Sequence, residues 1–363
     1  MEQYECWLAF RETLTNARKR KCLEYFGSAQ TIFIASASQI ETVPFLREEE
    51  KRELILSRTE RELMRERNIL SSLGMQFVGR SEEAYPERLK YLLDAPAGLF
   101  VLGRLPDPQK TAVALVGARY ATGEGCYTAR EAAAALAGAD VEVISGMATG
   151  IDGEAQEAAL DAGGRSYAVL GCGGDICYPK NNKALYQRLK EEGGILSEYP
   201  PGTEPKPYYF PERNRIISGL SDVVLVVEAR KKSGSLITAS LALDQGRDVF
   251  AVPGRIHDSL SEGCNELIRQ GAGIFCSPGS FLLDLGLEGA SGEKEKKNQL
   301  LLAKSENMVY SCVDLRGKSL DELSRSSGLS VSDTIKALTT LQIQELVEKK
   351  AGLYRRKKQS LSK

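Results

Sequence analysis

The 363-residue chain is longer than one ordinary hydrophobic core supports, which predicts two or three domains. Its composition, 42% hydrophobic and 27% charged, is that of a folded globular protein and excludes a largely disordered chain. The formal net charge of −1 excludes a basic field over the whole chain, so any binding of nucleic acid must depend on a local patch.

The cysteines and the single histidine argue against a metal centre. Eight cysteines are scattered without a Cys-x-x-Cys pair, and His257 is the only histidine. Structural zinc needs clustered ligands, so we expect no metal. The first residues lack a signal-peptide pattern, and no apolar stretch is long enough to span a bilayer. We therefore expect a cytoplasmic protein with free thiols and no membrane partner.

The N-terminal region, residues 1–74, is predicted to form a helical domain. It is rich in Glu, Arg, Leu and Ala and shows no strand-like alternation. The run 47–67 alternates in charge sign and carries spaced leucines, which indicates one amphipathic helix with a solvated face. Residues 75–110 are predicted to form a connector. It contains several prolines and a short strand at 99–103.

The central region, residues 111–286, has the pattern of a doubly wound α/β fold. Near-continuous apolar strands alternate with helical stretches, which is typical of a buried parallel sheet. We therefore predict a Rossmann-like domain. The predicted strands are 112–116, 141–144, 166–170, 222–227 and 248–252. Residues 287–299 are expected to be a flexible linker.

Glycine-rich polar segments follow these strands, where ligands bind in such a fold. The segment 117–125 contains Gly117 and Arg119 and opens a helix, whose N–H groups and dipole favour an anion. A tight turn with a surface arginine fits that segment equally well. The segment after the second strand, 145–153, is predicted to cap a helix or to orient the loop. Its candidate residues are Ser145, Gly146, Gly150 and Asp152.

Basic residues stand beside two further segments. Lys180 lies in the segment 171–182 at the start of a helix, either as a point charge for phosphate or as a solvated side chain. In 230–238 a run of three basic residues ends a buried strand, and a small polar sequence then opens a helix, which predicts an anion cradle. That polar sequence is Ser233, Gly234 and Ser235.

The segment 208–219 combines aromatic and basic side chains. Phe210 beside Arg213 and Arg215 suits unpaired bases, which stack on aromatic faces while arginine takes the phosphates. The alternative is a core Phe210 with both arginines in structural ion pairs. Asn214 is also a candidate DNA-binding residue, although it and one of the two arginines are expected to be partly structural.

The five segments together exceed what one mononucleotide needs and favour a threaded polyanion. They contain no histidine, and no P-loop or nucleophile elbow is present. We therefore expect a binding protein that is not an enzyme and needs no cofactor.

Several of these strings resemble the DNA-processing protein A (DprA/Smf) family. They occur in the family's order and include LVGAR at 115–119, SGMATGID at 145–152, FPERNRIISG at 210–219 and SGSLIT at 233–238. The resemblance implies an extended Rossmann fold that binds single-stranded DNA in a positive pocket, protects it and delivers it to the RecA recombinase during natural transformation.

The resemblance also implies roles for individual residues. Arg119 and Lys180 correspond to phosphate binders, with Lys183 as a substitute, and Phe210 corresponds to a base-stacking residue near Arg213 and Arg215. The resemblance further implies a homodimer joined through the end of the Rossmann domain. In this sequence that dimer surface falls at 265–275, with Asn265, Ile268 and Ile274.

Two departures from the family pattern are visible. Gln156 stands where the family usually has histidine, which makes acid–base chemistry there less plausible and leaves binding intact. The N-terminal region resembles the family's SAM-like helical domain but lacks a glycine-bearing hairpin near 16–21, so we expect no firm DNA contact from it.

The C-terminal region, residues 300–357, resembles the winged-helix domain of some family members and precedes a basic tail at 358–363. Its second helix offers Asp333, Lys336 and Thr339, a poor surface for base contacts, so duplex DNA and protein remain equal candidates as its partner.

Two rival functions stay open. A nucleotide phosphoribohydrolase of the "lonely guy" type shares a similar core, but its glutamate-bearing motif is absent at 232–238. A winged-helix transcription regulator with a ligand-sensing core is the weaker alternative.

Overall fold

A computed structural model describes residues 2–287, 304–313, 317–344, 346–350 and 352–357. The described N-terminal residues form six helices. These are α1 (Glu2–Ala9), α2 (Asn16–Phe26), α3 (Ala29–Ile34), α4 (Ala37–Glu41), α5 (Glu48–Leu56) and α6 (Glu60–Leu73). The single helix expected over 47–67 is therefore two helices. It is interrupted because Ser57 ends α5 and the Thr59 hydroxyl caps α6 by accepting from the Glu62 N–H.

The N-terminal helices have an apolar core of their own, centred on the fully buried Trp7. The Trp7 indole N–H donates to the Ser57 hydroxyl at 3.0 Å, which ties α1 to the end of α5. Cys6 and Ala9 of α1 face the other way and pack with Phe77 against the central sheet. The helices are thereby fixed to one end of the sheet.

In the described residues, nine strands form one mixed sheet in the order β1-β2-β6-β5-β4-β3-β7-β8-β9. Their bounds are β1 (Gln76–Gly79), β2 (Gly98–Gly103), β3 (Ala112–Val116), β4 (Glu142–Ser145), β5 (Ser166–Leu170), β6 (Gly194–Ser197), β7 (Val223–Val226), β8 (Asp248–Ala251) and β9 (Gly273–Ile274). The strands from β6 to β9 are parallel, whereas β1 and β2 add antiparallel at the β6 edge.

The residues expected to form a connector, 75–110, contribute two strands to the sheet, of which β2 contains the short strand predicted at 99–103. Residues 76–79 and 98–103 pair with each other, and β2 also pairs with β6, so this stretch completes the sheet. Phe100 is fully buried in β2 because α1 and α10 cover that edge. The predicted all-parallel sheet is correspondingly corrected to a mostly parallel one.

Helices pack on both faces of the sheet, as the doubly wound pattern predicts. They are α7 (Glu87–Lys90), α8 (Gly123–Gly138), α9 (Ile151–Asp161), α10 (Lys183–Glu192), α11 (Tyr209–Leu220), α12 (Gly234–Asp244), α13 (Glu262–Arg269) and α14 (Pro278–Asp284). Alternate residues of β3 enter different cores: Ala114 packs with α11 and α12, while Leu115 packs with α8 and α9. No helix in the described part of the chain is long and apolar enough to cross a bilayer.

The topology defines where a ligand enters. From β3 the chain moves outward to β4, β5 and β6, and it then returns to the other side of β3 with β7 and β8. The reversal between β3 and β7 is the switch point of a doubly wound sheet, where the loops diverge and leave a crevice.

The described C-terminal residues form a small unit with its own core, which includes Val309, Leu338 and Tyr354. Its elements are α15 (Lys304–Cys312), α16 (Leu320–Ser327), α17 (Val331–Ile343), β10 (Val347–Lys350) and β11 (Leu353–Arg356). The last two strands form the expected antiparallel hairpin. A winged-helix identity for this unit stays a prediction. Apart from Leu287, the predicted linker lies outside the described residues, and so does the basic tail at 358–363.

Candidate nucleic-acid interface

A cavity of about 430 Å³ opens at the switch point, beyond the carboxyl ends of β3 and β7. It is lined from the β3 side by Gly117 and Arg119, and from the opposite side by Arg230 and Ser233. The predicted segments 117–125 and 230–238, which follow β3 and β7, therefore meet. They do so because neighbouring parallel strands end at one edge of the sheet.

Arg119 and Phe210 form the mouth of this cavity. The Arg119 guanidinium carbon lies 5.5 Å from the centroid of the Phe210 ring. On another side Phe210 meets Tyr178, with 5.4 Å between ring centroids and 33° between planes. Gly171 makes room, since a Cβ there would lie 3.0 Å from Phe210 Cδ1. The Phe210 ring is thus held by a cation and a second ring.

Arg213 and Asp152 lie at the buried end of the cavity. Arg213 Nη1 donates to the carbonyls of Gly146 (3.1 Å) and Val169, which end β4 and β5. Asp152 Oδ2 accepts from the Gly146 N–H at 3.1 Å. Burial lowers the pKa of Arg213 to about 10 and raises that of Asp152, although each charge opposes the shift of the other. Arg213 therefore remains a cation at neutral pH, and part of its hydrogen-bonding capacity is used by the two backbone carbonyls.

The segment 208–219 lies almost entirely in helix α11, and this separates its two arginines. Phe210 and Arg213 are three residues apart and share the helix face toward the cavity. Arg215, two residues further, points to another face. It is buried in ion pairs with Glu198 (2.7 Å) and Asp94 (3.1 Å), which favours the structural role expected for one of these arginines over DNA binding.

Helix α12 presents its N-terminus to the cavity. Ser233, Gly234 and Ser235 all line it, and the Ser233 hydroxyl contacts that of Ser235 at 2.9 Å instead of capping the helix. The first backbone N–H groups are therefore available to an anion. Asn214 Nδ2 donates to the Gly234 carbonyl at 3.3 Å, so this predicted DNA-binding amide also ties α11 to α12.

Gln156, the residue that departs from the family pattern, is fully buried below the loop after β4. Its Oε1 accepts from the Met147 N–H at 2.9 Å, and its Nε2 donates to the Tyr167 carbonyl at 3.0 Å and to the Ser166 hydroxyl at 3.3 Å. Met147 has φ +54°, an uncommon conformation for a residue with a side chain. Gln156 thus holds a strained loop in place.

Lys180 and Lys183 lie at the same sheet edge but do not line the cavity. Both are exposed, and neither makes an ion pair with any residue that the structure describes. Between them, Asn182 Nδ2 donates to the carbonyls of Met147 (2.9 Å) and Ala148 (3.3 Å). Since Ala148 lines the cavity, the two lysines flank it from the α10 side.

Sequence reasoning missed Glu228, which follows β7. One of its oxygens accepts from the Thr122 N–H at 2.9 Å and the other from the Thr122 hydroxyl at 2.5 Å. This joins the loops of β3 and β7 across the switch point. No motif marks Glu228, because its partner is 106 residues away and only the sheet order brings them together. Within the described residues, no group of three or more His, Cys, Asp and Glu side chains is placed to hold a metal ion.

The arrangement offers phosphate ligands of three kinds. These are a helix N-terminus, exposed cations at Arg119 and Arg230, and a buried cation at Arg213. Aromatic rings stand at the mouth. Such a combination suits a nucleotide whose phosphate enters the crevice while its base meets a ring.

Comparison with known proteins agrees with this geometry. The model of the family described as DNA recombination-mediator protein A matches residues 76–286. The chain is 44% identical over 196 residues to DNA processing protein DprA of Streptococcus pneumoniae, which is 54% of this chain and 69% of that protein. It is 46% identical over 209 residues to protein Smf of Escherichia coli, which is 57% of this chain and 56% of that protein.

Two solved structures of DNA processing protein A are also similar to this chain. The X-ray structure of DNA processing protein A from Streptococcus pneumoniae matches with a TM-score of 0.69 and 35% identity, covering 78% of this chain and 98% of that chain. A structure of the Helicobacter pylori protein, determined for its single-stranded DNA binding mode, matches with a TM-score of 0.52 and 32% identity, covering 58% and 95%.

The fold and the site define a doubly wound α/β protein with a cavity at its switch point that is lined by arginines and a helix N-terminus. The chain belongs to the DprA/Smf family of DNA recombination mediators.

Proposed function

We propose that this protein binds single-stranded DNA at the switch-point cavity, protects it and delivers it to RecA in the cytoplasm during natural transformation, without chemical turnover. One observation carries the proposal: the cavity joins Arg119 and Phe210 to the uncapped N-terminus of α12. A phosphate and an unpaired base are the two groups that these elements bind. The Helicobacter pylori relative, studied for its single-stranded DNA binding mode, supports the same ligand.

The proposal includes a homodimer through residues 265–275. Ile274 lies in the edge strand β9 and exposes 47% of its surface, while Ile268 packs partly against the core. Asn265 exchanges two hydrogen bonds with the Gly254 backbone and so fixes the adjoining loop. An exposed apolar residue on an edge strand is a suitable site for pairing with a second copy. Light scattering of the native chain and of Ile274→Glu tests this, with a monomeric variant as the expected result.

Competition binding tests the main proposal. The full chain is titrated against a labelled oligothymidylate, with unlabelled single strand, duplex and nucleoside monophosphate as competitors. We expect the single strand to compete well below the concentrations at which the other two do. Equal competition by the monophosphate together with release of free base would replace the proposal with a phosphoribohydrolase.

Delivery to RecA is tested separately. RecA ATPase is followed on single-stranded DNA with and without the protein, and we expect a faster onset with it. No effect on that onset would remove RecA delivery while leaving DNA binding in place.

A further inference from the structure

Two side chains already contact the ring of Phe210, and this limits the room for a base to stack on it. Arg119 lies over it at 5.5 Å, and Tyr178 stacks against it at 5.4 Å with a tilt of 33°. A base stacking directly on Phe210 must therefore displace one of these neighbours. If the site holds several unpaired bases, as its proposed function requires, other aromatic faces have to receive them.

Tyr120 offers such a face on the β3 side. It directly follows Arg119, lines the cavity and exposes 90% of its surface. It has no ring contact with any described residue. A large aromatic side chain in water beside an exposed arginine has the composition of a stacking platform for a base next to its phosphate.

Tyr208 offers a second face immediately before α11, two residues from Phe210. It exposes 61% of its surface, and its ring meets Tyr209 edge to face at 4.6 Å. Tyr209 in turn lies 4.0 Å from Tyr199, whose buried hydroxyl donates to Glu212 at 3.0 Å. The inner edge of Tyr208 is thus held by a fixed stack, while its outer face stays open.

A lysine side chain places a positive charge beside this second face. Lys206 Nζ lies 5.5 Å from the Tyr209 centroid and interacts with both Tyr208 and Tyr209. Tyr208 follows β6 and Tyr120 follows β3, with β5 and β4 between them in the sheet. The two rings therefore stand on different elements, Tyr120 on the loop after β3 and Tyr208 at the start of α11.

From these contacts we infer that Tyr120 and Tyr208 are base-stacking residues that hold the nucleotides on either side of the one bound at Arg119 and Phe210. The inference rests on the proposed function and adds the path of the strand. The strand runs from Tyr120 past the cavity mouth to Tyr208, with Arg119 and Lys206 each beside one stacked base. Recognition by stacking is sequence-tolerant, because every base has an aromatic face.

The test uses the full chain and an oligothymidylate carrying a single 2-aminopurine, whose fluorescence falls when the base stacks. We expect Tyr120→Ala and Tyr208→Ala each to weaken binding between about 5-fold and 150-fold, the range measured for loss of one base–aromatic stack. Each should shorten the occluded site by about one nucleotide. Tyr120→Phe and Tyr208→Phe should keep both properties, since the ring face is retained.

Tyr91→Ala is the matched control. Tyr91 exposes 79% of its surface but follows α7, whose Arg88 pairs with Asp222 at the opposite end of β7. Native affinity, quenching and site size in both alanine variants would overturn the inference, provided that Arg119→Ala still binds weakly. Failure of the native chain to bind the oligonucleotide would overturn the proposed function as well, so the two failures are distinguishable.

Discussion

Arg215 and Glu198 form an ion pair with both side chains buried, 2.7 Å from Nη2 to Oε2. Two residues earlier on α11, Arg213 lines the cavity and holds the ends of β4 and β5. The Arg-Asn-Arg string thus serves two purposes on two helix faces. Its second arginine stabilises the fold and its first lies at the proposed ligand site.

Loss of Arg215 is expected to cost stability more than binding. Arg215→Met leaves Glu198 as an uncompensated buried charge, so we expect the free energy of unfolding in urea to fall by about 3–5 kcal/mol. Arg119→Ala, an exposed control, should change it by less than about 0.5 kcal/mol. A stable Arg215→Met protein that no longer binds single-stranded DNA would instead place Arg215 in contact with the ligand.

The order of elements along the sheet was largely predictable from the sequence, because buried parallel strands are continuous apolar runs. The strands 112–116 and 166–170 were predicted with the bounds observed. The strand β6 was missed because it has only four residues and begins with Gly194. The strand β1 was missed because it is defined by its pairing with β2, and no local sequence pattern predicts that pairing.

The segments that form the candidate site were predictable from the sequence. Which of their residues line the cavity and which stabilise the fold was not. Arg119, Phe210 and the Ser233–Ser235 stretch meet as predicted, since strand order alone brings their elements together. A structural arginine was expected in this segment, but the sequence could not show that it is Arg215, since its partners Glu198 and Asp94 are distant in sequence. The helical spacing of Phe210 and Arg213 was a usable signal, because residues three apart share a face.

The salt dependence of binding should report Arg119 directly. Each phosphate contact to a single strand contributes about 0.7 to the slope of log K against log salt concentration, through counterion release. We therefore expect Arg119→Ala to reduce that slope by about 0.7 and Arg119→Lys to preserve most of it. Fluorescence anisotropy over a series of salt concentrations measures both. An unchanged slope with Arg119→Ala would show that this guanidinium does not contact phosphate.

Gly150 is expected to control the position of Arg119. It has φ +77°, and a Cβ there would lie 2.3 Å from the Ala118 carbonyl oxygen and 2.6 Å from that of Arg119. Gly150→Ala should therefore displace the loop after β3, lowering stability by about 1–3 kcal/mol and weakening DNA binding. Gly123→Ala is the control, because a Cβ there meets no atom within 4 Å. Equal behaviour of the two variants in denaturation and binding would contradict this role.

Glu66 is expected to make stability depend on pH near neutrality. Burial raises the pKa of Glu66 from its usual value near 4.5 to about 8, although the paired Arg11 guanidinium opposes the shift. Between these values the folded state keeps a proton that the unfolded chain has lost. The free energy of unfolding should therefore fall as pH rises, by up to about 1.4 kcal/mol per pH unit.

Glu66→Gln should remove this slope, whereas Glu60→Gln, at an exposed position of the same helix, should retain it. Urea denaturation between about pH 5 and 7.5 measures the effect. Higher pH is avoided because burial lowers the pKa of Lys19 to about 8. Above that value the unfolded chain binds the extra proton, so Lys19 makes stability rise with pH and masks Glu66. Parallel pH profiles for the native chain and Glu66→Gln would mean that Glu66 is ionised beside Arg11 throughout this range.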